Sequence, residues 1–392
     1  QFAMVGKGVE AVPFFTEILR DGAKSEYAAL HALWGLGQLY RQGTKASVDA
    51  IVDALSAKEP EVRANAARVV GDSMVTEGQS DLLKLLEDSS SRVISLSAIA
   101  LGRVSPKGDE GAVNALFAVA KRNQGSDFEV TIRHSLLSAL DRVAGDAQLS
   151  AFAKSEEVEQ RLLCVLLLRR RASPELAQFL DDENEAVRKE AILAIYDTAA
   201  MDGPAGQTLL AVDPKGLPFY HQARLVGACF RIGSIESAVR LGEFVSDDAL
   251  DKETRIFALK ALMRWSVPLD TDPVLGHYRP SPASLVGLSE VVSKIGDDLK
   301  SLLEKEKDPK LASLLSSFAQ KAGLSLDLGI LRKQVSDKKL DPEVRVANLK
   351  GLVARGEKED DLLLLKLSKD ENELLRAASF GHLLDRGLDP SS

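Results

Sequence analysis

A short pattern recurs along this chain and limits what it can fold into more than any other feature. It runs as a branched or small apolar residue, usually an arginine, then apolar residues at helical spacing that often close on glycine or another small residue. Three copies are clear: Pro60 to Gly71 around Val62-Arg63, Glu185 to Ile195 around Val187-Arg188, and Pro342 to Leu352 around Val344-Arg345. Weaker copies anchor at Ala28, Val93, Ile132, Val158, Ala223, Thr254 and Leu375. Successive anchors are 34, 31, 39, 26, 29, 36 and 31 residues apart, and then 90 and 31. Apart from the interval of 90, these spacings suit a two-helix repeat, whose period is roughly 30–45 residues. A hairpin of that size cannot bury its apolar side alone, so the copies are expected to stack in a row.

Between the anchors lie amphipathic stretches that would supply each anchor helix with a mate: Ser80–Glu87, Gly111–Lys121 and Asp360–Leu367. The joints are short and polar, as in Asp88-Ser89-Ser90-Ser91, Asp181-Asp182-Glu183-Asn184 and Lys369-Asp370-Glu371-Asn372. Side chains of that kind accept hydrogen bonds from the free N–H groups of the next helix. The interval of 90 residues would hold two or three degenerate units, with helices over Leu285–Glu306 and Lys310–Ala322. Leu, Ala and Val dominate the composition and aromatic residues make up only 5% of it, which favours helix packing over a twisted sheet.

The arginine of the pattern stands where its helix has just begun. There a long cation can lay its stem on the neighbouring repeat and reach an acid in the adjacent turn. Arg63, Arg133, Arg188, Arg224, Arg255, Arg345 and Arg376 are therefore expected to form a ladder between repeats, with an anion-binding stripe as the competing reading.

Several function classes lose support from the same composition. With a formal net charge of −8 the chain has no overall field that attracts phosphate backbones, so nucleic acid is not an expected partner. The basic run Arg169-Arg170-Arg171 follows the apolar stretch Leu162–Leu168 and complements the carboxyl end of a helix. That stretch, seven residues long, is the longest apolar run, far short of the ~20 residues that span a bilayer. The chain begins Gln1-Phe2-Ala3, which reads as an internal piece or a processed product. Cys164 and Cys229 sit among apolar residues of helical pattern and two repeats apart, so two buried thiols are expected, with no disulfide.

With its repeats in place, the chain resembles the HEAT and phycobilisome-lyase-like repeat superfamily over nearly all its length. The resemblance implies an all-α fold, an α-solenoid of stacked antiparallel helix pairs forming an armadillo-like superhelix. One array is expected over 1–267 and its continuation over 283–392. Two places resemble something narrower, the helical region of haem-binding, dehydrogenase-like proteins of planctomycetes and verrucomicrobia. These are Leu30-His31-Ala32-Leu33-Trp34-Gly35-Leu36-Gly37, and Ala258 to Trp265 with the following Pro268 to Gly276, Tyr278, Arg279 and Pro280. In that family a sorbosone-dehydrogenase-like propeller precedes the helices and a cytochrome c domain with Cys-x-x-Cys-His follows them. Neither is expected in these residues, so no haem chemistry carries over and no cofactor is expected. The resemblance implies a connecting domain of a larger oxidoreductase, in the periplasm or cell envelope.

Sites of chemistry are scarce. No two of His31, His134, His221, His277 and His382 have the i, i+4 spacing of a helical zinc site, and no phosphate-binding glycine loop or Gly-x-Ser-x-Gly elbow occurs. Acidic pairs such as Asp247-Asp248, Asp297-Asp298 and Glu359-Asp360-Asp361 fall at helix ends, where capping is their ordinary role. One segment breaks the repeat: 268–282, whose four prolines and one glycine forbid a regular helix, is expected as an irregular loop. It is the best site candidate. Asp270 and Asp272 have the chemistry to coordinate a cation, and His277, Tyr278 and Arg279 to meet a partner; otherwise the loop is a stiff linker. The chain is thus expected to be a non-catalytic scaffold whose partners are protein domains, including neighbours in its own parent chain. A lyase or nucleic-acid-base enzyme holding its ligand in a concave face is the alternative.

Overall fold

The computed structural model describes residues 1–20, 25–122, 129–281, 284, 286–324, 327–354 and 357–389. They form two compact units: Gln1–Arg171 with Asp181–Glu190, and Ala172–Leu180 with Ala191–Ser392. Leu285 and Pro282, which the sequence reading placed in a helix and in the irregular loop, lie outside the described residues.

In the first unit the anchor helices Glu26–Arg41, Pro60–Ser73, Ser91–Val104, Glu129–Val143 and Val158–Arg170 pack each on the next in chain order. Shorter mates lie between them: Val48–Asp53, Gln79–Leu85, Glu110–Arg122 and Asp146–Phe152. Close approach explains the small residue that closes the pattern. A Cβ added to Gly71 would stand 2.8 Å from the Cα of Ala100, and one on Gly102 would stand 2.5 Å from the Cα of Ala139. The next anchor helix occupies the space a side chain would need.

The second unit repeats the plan with Phe219–Ile232, Lys252–Met263, Pro309–Lys321, Pro342–Val353 and Glu373–Asp385 as its row of anchor helices. Their mates are Ile235–Ser246, Leu288–Lys305, Leu328–Ser336 and Asp361–Leu367. Among the described residues the interval of 90 holds two helix pairs, Lys252–Met263 with Leu288–Lys305 and Pro309–Lys321 with Leu328–Ser336. The 18 residues of Leu288–Lys305 and a short β-hairpin take up the remaining length. Helix starts follow local chemistry. Pro60, Pro309 and Pro342 occupy the first turn, where a missing N–H costs nothing. Asp308, Asp341 and Asn372 accept from the first free amides of their helices.

Five of the seven arginines of the pattern, Arg63, Arg133, Arg224, Arg255 and Arg345, reach an acid on another helix or turn, whereas Arg188 and Arg376 hold carbonyls of the turn before their own helix. In six helices the arginine is the fourth residue: Arg63, Arg161, Arg188, Arg255, Arg345 and Arg376. Arg63 donates to the carbonyls of Ala57 and Lys58 before its own helix, and forks onto both oxygens of Asp88 in the turn before the next anchor helix. Asp88 in turn accepts from the Ser90 amide, which shapes that turn. Burial alone would raise the Asp88 pKa; together the Arg63 guanidinium and the Ser90 amide outweigh it and hold the carboxyl below its usual range.

Arg161 repeats every contact. It reaches Ser155 O, Glu156 O and both oxygens of Asp182, whose carboxylate accepts from Asn184 N. The sequence reading set this copy two residues early, at Val158, because Gln160 stands where the other copies carry an apolar residue. Arg345 binds Val335 O and Asp370, and Arg255 binds Val245 O and Glu306. Arg133 meets Glu159 further along, while Arg224 turns back to Asp197. Arg376 holds only the carbonyls of Asp370 and Glu371. The Arg169-Arg170-Arg171 run is likewise engaged, with Glu190, Asp141 and Asp146. Buried donors and acceptors need partners, and charged forks supply them at the turns of Asp88 and Asp182.

Candidate functional site

The segment singled out by its prolines is not an irregular loop. Leu269–Thr271 and Tyr278–Ser281 pair antiparallel, with Leu269 opposite Ser281, Thr271 opposite Tyr278 and an irregularity between the two pairs. Pro280 is tolerated because a two-stranded ribbon has outer edges that need no N–H donor. Asp272 builds the turn. Its carboxylate accepts from the amides of Val274 and Leu275 at 2.9 and 3.0 Å, its carbonyl accepts from Gly276, and Gly276 takes the left-handed φ of 71° that the reversal needs.

The same carboxylate fixes the hairpin to the helices behind it. Asp272 is 1% exposed and accepts from the Tyr196 hydroxyl at 3.0 and 3.1 Å. Arg279 stands 3.6 Å away and donates to the carbonyls of Tyr196 and Thr198 at 2.6 and 2.9 Å, its guanidinium lying 5.5 Å from the centre of the Tyr196 ring. Arg231, from Phe219–Ile232, donates to Ser281 and Arg279 O from the far side and pairs with Asp202. Burial, and then the Asp272 carboxylate, push the Tyr196 phenol above its ordinary range, so it remains a hydroxyl donor.

The five residues singled out in this segment therefore separate into two groups. Asp272 and Arg279 face inward and are engaged in holding the hairpin, which withdraws Asp272 from the cation-binding role; Asp270 is exposed and does not join it. His277 and Tyr278 are exposed, Tyr278 by 77%. Among the described residues no three His, Cys, Asp or Glu side chains gather as metal ligands. Tyr196 and Arg231 escaped the sequence reading because both sit inside repeat helices. The contact of Tyr196 with Asp272 spans 76 residues of chain, and no local pattern marks it.

Beside the hairpin lies a small apolar cavity of about 50 Å³. Val226, Gly227 and Phe230 form one wall and Phe257 and Ala261 the other, while Leu269 and Pro273 of the hairpin close it. Lys260 and Arg264 stand at its rim, both exposed. Elsewhere, both cysteines are free and buried, and burial pushes each thiol up to about 12, far from a reactive thiolate. No described helix is long and apolar enough to cross a membrane.

No curated protein matches the sequence. Among solved structures, an engineered protein aligns over 97% of this chain and 99% of its own at 17% identity, with a TM-score of 0.34. The CpcE–CpcF complex of phycocyanin lyase from Nostoc sp. PCC7120 covers 64% of this chain and 87% of its own at 22% identity and a TM-score of 0.30. Human deoxyhypusine hydroxylase in complex with glycerol covers 96% and 95% at 16% identity and a TM-score of 0.27. Similarity of that degree carries no inference about activity. Residues 49–136 match the family described as HEAT repeats, the stretch that contains the Arg63–Asp88 clamp and the Gly71–Ala100 contact, and the all-α stack of helix pairs in the described residues is consistent with a HEAT-like solenoid.

Proposed function

We propose that this chain is a non-catalytic interaction domain that presents the 269–281 hairpin to a protein partner, and that it connects the domains of a larger cell-envelope oxidoreductase. The observation that carries this reading is the division of labour in the hairpin. Every charged group that faces inward is committed to pinning it, while His277 and Tyr278 are held out into solvent on a ribbon whose position is fixed. A buried hydrogen-bonded network of this kind gives rigidity to what it supports. An exposed aromatic on a rigid support is what a protein interface uses as an anchor, since little conformational entropy remains to be lost on binding. The connecting role rests on the resemblance around Trp34 and around Trp265 with the hairpin that follows it. The acidic balance opposes a nucleic-acid role.

The test is a photo-crosslinking amino acid placed at Tyr278 in the full natural polypeptide, in its own cells, with the attached peptide identified by mass spectrometry. The reading expects one discrete protein segment to be captured, and the capture to be lost when Asp272→Ala releases the hairpin. Attachment spread over unrelated proteins, or no change with the Asp272 substitution, would overturn it. Retention on heparin at low salt, or a visible absorption band after mixing with haem or a bilin, would point instead to the ligand-binding alternative.

A further inference from the structure

The cavity beside the hairpin is apolar within and cationic at its mouth. Phe257, Lys260, Ala261 and Arg264 recur at i, i+3, i+4 and i+7, so they share the one face of Lys252–Met263 and its cap that fronts the cavity. Opposite them, Val226 and Phe230 are buried in Phe219–Ile232. The third wall, Leu269 and Pro273, belongs to the hairpin that Asp272 pins through a buried network.

The rim of the cavity carries positive charge. Arg224, Arg231, Arg240, Arg255 and Arg279 in the same unit all have carboxylate partners. Lys260 and Arg264, four apart in the last turn and cap of Lys252–Met263, are exposed at the mouth of the apolar hole and, like Arg376, have no carboxylate partner among the described residues. Two exposed cations beside an apolar pocket match an anion attached to an apolar group.

We infer that this cavity receives the C-terminal residue of a partner polypeptide ending in Leu, Ile or Val, with the branched side chain in the apolar floor and the α-carboxylate between Lys260 and Arg264. The size sets the side chain. About 50 Å³ admits the tip of a branched aliphatic group, whereas a cavity of about 150 Å³ is needed for a benzene ring. Spacing favours a chain end over an internal acidic residue. Ala261 in the wall lies one residue from Lys260 and three from Arg264, a rise of about 1.5 and about 4.5 Å along the helix. An α-carboxylate belongs to the same residue as the side chain it accompanies, whereas the acid of a neighbouring residue is a further ~3.3 Å along an extended chain. This inference rests on the interaction reading above and names the chemistry of one contact.

The experiment uses the whole 392-residue chain with labelled methyl groups, following Val226, Ala261 and Leu269 by NMR. Three probes are titrated: acetyl-Ala-Ala-Leu as the free acid, the same peptide as its C-terminal amide, and acetyl-Ala-Ala-Ala acid. Saturable shifts of the three methyls are expected with the first. Binding at least tenfold weaker is expected with the other two, and with the first against Arg264→Gln, an exposed position whose change leaves the fold intact. Ala261→Leu, which fills the floor, should abolish the shifts. Equal binding of acid and amide, indifference to Arg264→Gln, or no shift at any concentration would overturn the inference. If the Tyr278 cross-link is still captured in that case, the interaction reading survives without this contact; loss of both removes the two together.

Discussion

Replacing Arg161 by alanine should cost far more than replacing Arg376, although both fill the same place in the repeat. Arg161 and Asp182 are each almost wholly buried, with side chains 6% and 7% exposed. The guanidinium forks onto Asp182 at 2.8 and 3.0 Å and holds the carbonyls of Ser155 and Glu156 at 2.7 and 3.1 Å. Its contact with Glu183, which is 83% exposed, contributes little and is left out of the reckoning. Removing one partner of a buried pair costs about 3–5 kcal/mol because the other charge is stranded. Asp182 keeps the Asn184 amide as a donor, so the lower end of that range, about 3 kcal/mol, is expected. Arg376 is exposed and binds two carbonyls with no acid, so its loss should cost about 1 kcal/mol. Because two compact units need not unfold together, a single melting midpoint would blur the comparison. Native-state hydrogen exchange resolves it, read on peptides covering 155–163 and 181–190 for Arg161→Ala and 370–385 for Arg376→Ala. A loss below about 1 kcal/mol for Arg161→Ala, or equal losses for the two variants, would refute the view that the acid completes the clamp.

Asp272→Ala strands Arg279 and removes the acceptor of two turn amides, so exchange across 269–281 should accelerate by at least about 2 kcal/mol, and Tyr196→Phe, which deletes one donor, by about 1 kcal/mol; the reverse order would count against the network. Stability should fall as pH rises beyond about 9: Cys164 and Cys229 keep their protons in the folded state to about 12, so the unfolded chain binds fewer protons than the folded one above the ordinary thiol value. Urea titrations at pH 7 and 10 should show the fall, and Cys164→Ala with Cys229→Ala should flatten it. Gly71→Leu drives a side chain into the backbone of the next helix and should destabilise by at least about 1–3 kcal/mol; a neutral result in urea denaturation would contradict the contact with Ala100.

Much of this architecture was legible because repeat proteins write one local rule many times. Periodicity placed helices at Gln79–Leu85, Glu110–Arg122 and Pro309–Lys321 to within a few residues, and the arginine after the anchor foretold the clamps. What escaped reading was whatever a single copy does once. Gln160 disguised the register of Arg161, and the 90-residue interval concealed a ribbon among its helix pairs because neither length nor composition separates those contents. The Asp272-Pro273 and Gly276 turn signals were present, yet strands of three and four residues are too short for alternation to declare itself. The partners of Asp272 and the walls of the cavity come together only through tertiary packing between segments tens of residues apart.

The clamps also govern how such a chain can change length. Each links a helix start to the turn immediately ahead and to nothing beyond it, as Arg63 does with Asp88 and Arg345 with Asp370. A duplicated or deleted hairpin therefore arrives with its own fastening and leaves no stranded charge at the seam, so gain or loss of whole modules is a smaller disturbance than the change of one buried arginine.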